Sequence, residues 1–169
     1  MKKSLVLLGM MGVGKTTIAK IVAEKLNLKL VDIDTEIETK NLMPIKEIFE
    51  NKGENFFRTE EEKIALNYIP ENNCVIALGG GAFINKKIRE KVLSCSISIW
   101  LDADIKLLKT RLKNSNKRPL LKKNNIKGKI EEIYKNRRDT YNLANYKIVC
   151  DKLSLKKISE KILDIYENQ

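Results

Sequence analysis

Apolar positions along this chain follow two alternating patterns. Five short runs are close to continuously apolar: Ser4–Leu8, Lys29–Ile33, Cys74–Leu78, Ser96–Leu101 and Lys147–Cys150. Runs of that length, bounded by polar or glycine-rich stretches, predict buried strands. Between them the apolar residues recur at helical spacing, which predicts helices over Lys15–Leu26, Ile45–Lys52, Asn55–Ile69, Asn85–Leu93, Ile105–Lys113, Lys129–Asn142 and Leu155–Asn168. Pro44 suits a helix start, Gly53 a stop after Lys52, and Ser154 an N-cap for the last helix. Strands alternating with helices imply an α/β fold, a parallel sheet covered on both faces. No repeat or linker divides the chain, so residues 1–169 read as one domain.

In such sheets ligands gather beyond the carboxyl ends of the strands. The first strand leads there into Gly9-Met-Met-Gly-Val-Gly-Lys-Thr-Thr17, which fits the phosphate-binding loop G-x-x-x-x-G-K-[ST] through Gly9, Gly14, Lys15 and Thr16. Strand, glycine loop and helix together aim backbone N–H groups and the positive end of a helix dipole at a phosphate. Lys15 would reach the outer phosphates and the Thr16 hydroxyl would ligate Mg²⁺. The motif and its context predict that the chain binds a nucleoside triphosphate.

Composition narrows the chemistry. Histidine is absent, which excludes histidine triads, histidine-ligated zinc and imidazole acid–base catalysis. Basic residues number 33 against 22 acidic ones, a net charge of +11. The lysines are scattered and no base-stacking aromatic motif accompanies them, so the excess reads as solvated surface partly aimed at anionic ligands, and no nucleic-acid partner is expected. Cys74, Cys95 and Cys150 are far apart and odd in number, which suits reduced thiols in the cytoplasm. No apolar run has membrane-spanning length, and the one nearest the start ends in the phosphate loop, so neither a membrane segment nor a signal peptide is expected.

Several constellations remain. Asp32 and Asp34 end the second strand two residues apart, pointing the same way while strand geometry lasts. One would serve the water shell of a metal and the other an acceptor hydroxyl, or Asp34 would simply cap the next helix. Arg58 and Glu61, three apart in a helical stretch, read alone as an ordinary surface ion pair. Gly79-Gly80-Gly81 permits close approach of a ligand to the backbone, or makes a flexible turn. Arg111, Arg118, Arg137 and Arg138 offer guanidinium groups to phosphate or carboxylate. Residues 114–128 form a long, polar, basic stretch of the kind used as a lid, with Arg118-Pro-Leu-Leu121 near its start.

Taken in order, Gly9–Thr16, Asp32-Ile-Asp34, Phe57-Arg58 with Glu61, Gly79–Gly81, Arg118–Leu121, and Arg137 with Tyr141 make the chain resemble the shikimate kinase family nearly end to end. The resemblance implies a three-layer P-loop kinase fold of nucleoside-monophosphate-kinase type, with five parallel strands, an acceptor-binding segment over about 33–61 and a mobile lid over about 113–128. It implies transfer of the γ-phosphoryl group of ATP to the 3-hydroxyl of shikimate, in the route to aromatic amino acids. ATP would meet Gly12, Val13, Gly14, Lys15, Thr16, Thr17, Arg111 and Arg118. Shikimate would meet Asp34, Arg58, Gly79, Gly80, Gly81, Arg137, Phe49 and Phe57, with the arginines Arg58 and Arg137 on its carboxylate. Asp34, Lys15 and Arg118 would carry the catalysis, and one Mg²⁺ per subunit would sit on Thr16 and, through water, Asp32. The implied protein is a cytoplasmic monomer. Thr16 stands where the family usually has serine, which keeps the hydroxyl, and Lys152 is the one candidate for an adenine contact. The rival readings are another small kinase acting on gluconate or a nucleoside monophosphate, a GTPase suggested faintly by Asn51-Lys52-Gly53-Glu54, and a basic nucleic-acid-binding module.

Overall fold

A computed structural model describes residues 3–112 and 126–169 of the chain. Five strands, β1 (Ser4–Leu8), β2 (Lys29–Asp32), β3 (Cys74–Ala77), β4 (Ser96–Asp102) and β5 (Tyr146–Val149), form one parallel sheet in the order β2-β3-β1-β4-β5. The apolar patterning follows that order. β1 is central, and Leu5 to Leu8 are buried because both sheet faces there are covered. The edge strands alternate instead: Lys29 is exposed and Val31 buried in β2, while Lys147 and Val149 are exposed and Ile148 buried in β5.

Eight helices flank the sheet among the described residues: α1 (Lys15–Leu26), α2 (Ile33–Asn41), α3 (Ile45–Asn51), α4 (Gly53–Tyr68), α5 (Lys86–Cys95), α6 (Ile105–Leu112), α7 (Ile126–Tyr141) and α8 (Leu155–Glu167). α1 turns Ile18, Ala19, Val22 and Ala23 inward and ends at Asn27, whose left-handed φ of 51° lets Leu28 N–H donate to Ala23 O at 2.9 Å. α8 starts as expected on Ser154, whose hydroxyl accepts from Lys157 N–H at 3.3 Å. Its buried Ile158, Ile162 and Tyr166 lie four residues apart and form the face that packs near α1.

Local departures from the sequence pattern concentrate where the site is built. β2 stops at Asp32 rather than Ile33, and the chain turns at once into α2, which the apolar pattern did not predict. Asp32 is the cap of that helix, its Oδ1 accepting from Thr35 N–H at 3.2 Å, and Asp34 lies one residue inside the first turn. The expectation that both carboxylates share one strand face is therefore corrected, as is the idea that Asp34 is the cap. Gly53, with φ of +82°, separates α3 from α4 but belongs to the start of α4. α7 begins at Ile126 rather than Lys129, so residues 126–128 of the expected lid belong to a helix. The rest of that lid, residues 113–125 with Arg118, lies outside the described residues.

Candidate active site

The phosphate loop occupies the point where the chain, having placed β2 and β3 on one side of β1, crosses to place β4 on the other. That topological switch is where parallel sheets open a crevice. Gly9 fits there only as glycine: its φ is +139°, and a Cβ would lie 2.4 Å from the Leu101 carbonyl oxygen of β4. Gly14, at φ 101°, caps α1 and turns the first amides of that helix toward the loop. Lys15 Nζ donates to the Gly9 and Met10 carbonyls, each at 2.9 Å, and so spans the loop. Arg111, from the last turn of α6, donates to the carbonyls of Gly12 at 3.2 Å and Val13 at 3.3 Å. Val13 is 1% exposed, so only its backbone can serve a phosphate. Gly12, Gly14, Lys15, Thr16 and Thr17 line a cleft of about 200 Å³ with Asp32 and Asp34 on its far side.

Asp32 ties this cleft together. Its Oδ2 accepts the Thr16 hydroxyl at 2.6 Å while its other oxygen caps α2. A second cleft lies beside the first, walled by Ile45 and Phe49 of α3, by Phe57, Arg58 and Glu61 of α4, and by Arg137 of α7, with Gly80 and Gly81 as its floor. The Phe49 and Phe57 rings meet at 4.8 Å, tilted by 44°, and hold α3 against α4. Asp34 and Gly80 line both clefts. A group bound in the second cleft would therefore meet a phosphate in the first across this carboxylate.

One charge of the second cleft is deeply buried. Glu61 is 2% exposed, because residues 57, 60, 61, 64 and 65 share the buried face of α4. Its Oε2 accepts from Arg58 Nη1 at 2.7 Å, and Glu54, on the exposed side, accepts from Arg58 Nη2 at 3.1 Å. Arg58 is thus clamped between two carboxylates with its guanidinium over the Phe57 ring, 5.1 Å from the centroid. Glu61 Oε1 is buried without a hydrogen-bond partner among the described residues. Burial pushes the Glu61 carboxyl above the usual range, Arg58 pulls it back, and the nearby Asp34 charge adds to the rise. The reading of Arg58 and Glu61 as an ordinary surface pair is corrected accordingly. On the opposite wall, Arg137 Nη1 donates to the Gly80 carbonyl at 2.8 Å.

Asp34, Phe49, Phe57, Arg58, Gly80, Gly81 and Arg137 thus converge on one cleft, and Gly12, Lys15, Thr16 and Thr17 on its neighbour, which Gly79 also lines. Arg138 points elsewhere, beside Asp139 and 60% exposed. Met11, Ile45 and Glu61 were not foreseen as lining residues. Glu61 was findable in principle, since it lies four residues after Phe57 and three before Ile64 on the apolar stripe of its helix.

The family model for shikimate kinase matches residues 11–167. The chain belongs to the shikimate kinase family. A shikimate kinase from Sulfurihydrogenibium sp. (strain YO3AOP1) is 42% identical over 161 residues, covering 95% of this chain and 96% of that one. One from Brucella canis (strain ATCC 23365 / NCTC 10854 / RM-666) is 36% identical and covers 96% of this chain and 82% of its own length. Among solved structures, a shikimate kinase from Acinetobacter baumannii in complex with shikimate superposes with a TM-score of 0.93 at 33% identity, covering 97% of this chain and 92% of that chain. The chain is an ATP-dependent kinase of P-loop type, with five parallel strands between helices. The kinase reading of the phosphate loop stands, and the GTPase reading does not.

Proposed function

We propose that the chain transfers the γ-phosphoryl group of ATP to the 3-hydroxyl of shikimate, with the triphosphate in the cleft of the phosphate loop and the acceptor on the glycine floor. The observation that carries this reading is that Asp34 and Gly80 belong to both clefts, which puts a carboxylate between the two reactants. Arg58 and Arg137 bind the acceptor carboxylate from opposite walls, a task for which the planar guanidinium fork suits better than lysine. Phe49 and Phe57 cover the ring. Asp34 orients the attacking hydroxyl and accepts its proton as the new bond forms. Gly79, Gly80 and Gly81 let the acceptor approach the backbone.

On the nucleotide side, the loop amides from Gly12 to Thr17 and Lys15 hold the phosphates, and Arg111, which braces the loop through the Gly12 and Val13 carbonyls, would meet the nucleotide beside them. By the family resemblance, Arg118 would meet the phosphates and residues 113–125, ahead of α7, would serve as the lid. The transferring group is loose and spreads its charge over the equatorial oxygens, so fixed positive groups around it supply most of the acceleration. The Thr16 hydroxyl and the Asp32 carboxylate, 2.6 Å apart at the cleft, are oxygen donors of the kind Mg²⁺ prefers. Thr16 would hold the ion directly and Asp32 through water, and the ion when bound would offset phosphate charge. The protein is proposed to act as a cytoplasmic monomer, one domain over residues 1–169 with its acceptor segment near 33–61. Among the described residues no helix is long and apolar enough to cross a membrane, and Cys74, Cys95 and Cys150 are free thiols.

ADP release with magnesium present should require shikimate, and gluconate or nucleoside monophosphates should not replace it. Asp34→Asn then separates chemistry from folding. Asp34 is not the helix cap but an acidic residue of the first turn of α2, so the melting temperature should fall by no more than about 4 °C. Turnover should fall by roughly 10²–10⁴, the contribution of a positioned general base, with ATP affinity little changed. Near-normal turnover at saturating shikimate would remove Asp34 from this role.

A further inference from the structure

The glycine floor is held in place from one side. β3 ends as Leu78 N–H donates to Leu7 O at 3.0 Å, and the short 3₁₀ turn Ala82–Ile84 takes up the neighbouring carbonyls: Ala82 N–H donates to Gly79 O and Ile84 N–H to Gly81 O, each at 3.1 Å. The carbonyl between them, that of Gly80, accepts two side-chain donors from α7. One is Arg137 Nη1 at 2.8 Å, and the other is the hydroxyl of Tyr141. These residues are four apart, so they lie on the same face of the helix one turn from each other. They differ in freedom. Arg137 lines the acceptor cleft, whereas Tyr141 is fully buried, with its ring 5.9 Å from Trp100 and its hydroxyl 3.9 Å from the Met10 sulfur.

We infer that Tyr141 is a positioning residue for acceptor binding, its buried hydroxyl fixing the Gly80 carbonyl and with it the glycine floor. This rests on the reading of the Gly80 cleft as the acceptor site. Described peptide bonds are trans, so a carbonyl turned toward α7 turns the N–H of Gly81 the opposite way, and one hydrogen bond sets both. Glycine supplies no side chain to lock its own peptide plane, and a Cβ on Gly80 would lie only 3.3 Å from the Met11 amide nitrogen, so a small rotation there is felt across the floor. Arg137 also lines the acceptor cleft, so turning its guanidinium onto an acceptor carboxylate would loosen its hold on the Gly80 carbonyl, and a carbonyl left unpaired there is costly. Tyr141 keeps Gly80 paired throughout and lets Arg137 serve the acceptor.

Tyr141→Phe keeps the ring and removes the donor. Its KM for shikimate should rise about three- to tenfold, the worth of one buried hydrogen bond, while KM for ATP stays within about twofold. Para-aminophenylalanine at position 141, which restores an N–H donor, should recover most of the loss. Trp100→Phe, which loosens the packing around the same ring, should lower the melting temperature without changing the ratio of the two KM values. In the wild-type protein the Tyr141 hydroxyl proton should be a slowly exchanging NMR resonance both with and without shikimate, a readout that needs no variant to fold. An unchanged shikimate KM in Tyr141→Phe, equal rises in both KM values, or loss of the protected hydroxyl proton on saturation would overturn the inference. A wild-type enzyme with no shikimate-dependent turnover would overturn the acceptor reading and this inference together.

Discussion

Replacing Gly79 by alanine should damage the acceptor site through one identifiable clash. A Cβ there would lie 2.5 Å from Glu61 Oε1 and 3.0 Å from Asp34 Oδ1. Ordinary contact needs about 3.5 Å, so Glu61 must retreat by about 1 Å. It has nowhere to go: the side chain is 2% exposed, and its other oxygen is held at 2.7 Å by Arg58. Retreat would drag the Arg58 guanidinium out of the cleft. Gly79 is not in the left-handed region, so backbone strain adds nothing. Overpacking of a core site costs about 1–3 kcal/mol. For a chain of this size each kcal/mol moves the melting temperature by about 2–4 °C, so the fall should be roughly 2–12 °C by thermal unfolding. KM for shikimate should rise at least about tenfold, since a bidentate cation is displaced. Gly53→Ala is the control. It has φ of +82° and no atom within 4 Å of the new Cβ, so it should cost about 1–2 kcal/mol from backbone conformation alone and leave both KM values unchanged. Gly79→Ala with a wild-type melting temperature and a wild-type shikimate KM would refute the claim that Glu61 cannot yield.

Leu42 joins α2 to α3 with φ of 50° and is 93% exposed, so its side chain gains little from the fold. Leu42→Gly should relieve about 1–2 kcal/mol of left-handed strain against about 0.5–1 kcal/mol of added chain entropy, raising the melting temperature by up to roughly 6 °C; a lower one would count against it. Alkylation followed by mass spectrometry at pH 8 should label Cys95 before Cys74 or Cys150. The latter two are buried, and burial pushes both thiols up, Cys150 to about 12. Fastest labelling of Cys150 would contradict that order.

The sheet was legible because strands buried on both faces write themselves as continuous apolar runs, and β1 and β3 are such strands. Helix α2 was not. Ile33-Asp-Thr-Glu-Ile-Glu-Thr-Lys-Asn41 buries only Ile33 and Ile37, too few to set a period, and two threonines lower its propensity. Missing it displaced Asp34 from a helix to a strand and hid the Asp32 cap. The phosphate loop was fully legible, because its requirement is local: glycines of positive φ before a lysine at a helix start. The Arg58–Glu61 pair was half legible. Spacing gave the contact, but the packing of α4 on its neighbours, with Gly79 and Asp34 beside the carboxylate, decides that Glu61 is buried and Arg58 thereby aimed. The two donors on Gly80 join residues 57 and 61 positions apart, a distance that no periodicity spans.

Arg111 makes α6 a lever on the nucleotide. Helix Ile105–Leu112 is eight residues, about 12 Å, and its last turn touches the phosphate loop twice. Arg111 holds the Gly12 and Val13 carbonyls, and the Leu112 side chain fills the space a Cβ on Gly12 would need, with Cγ at 3.0 Å. The anion cradle is therefore one jaw of a clasp, and the other jaw is carried about a hundred residues downstream. Sequence drift in α6 should be felt first as a change in ATP affinity, through the loop that Arg111 and Leu112 hold. A loop of this sequence grafted onto another strand–helix scaffold, without a helix that returns an arginine and a leucine to it, would keep its glycines and lose its shape.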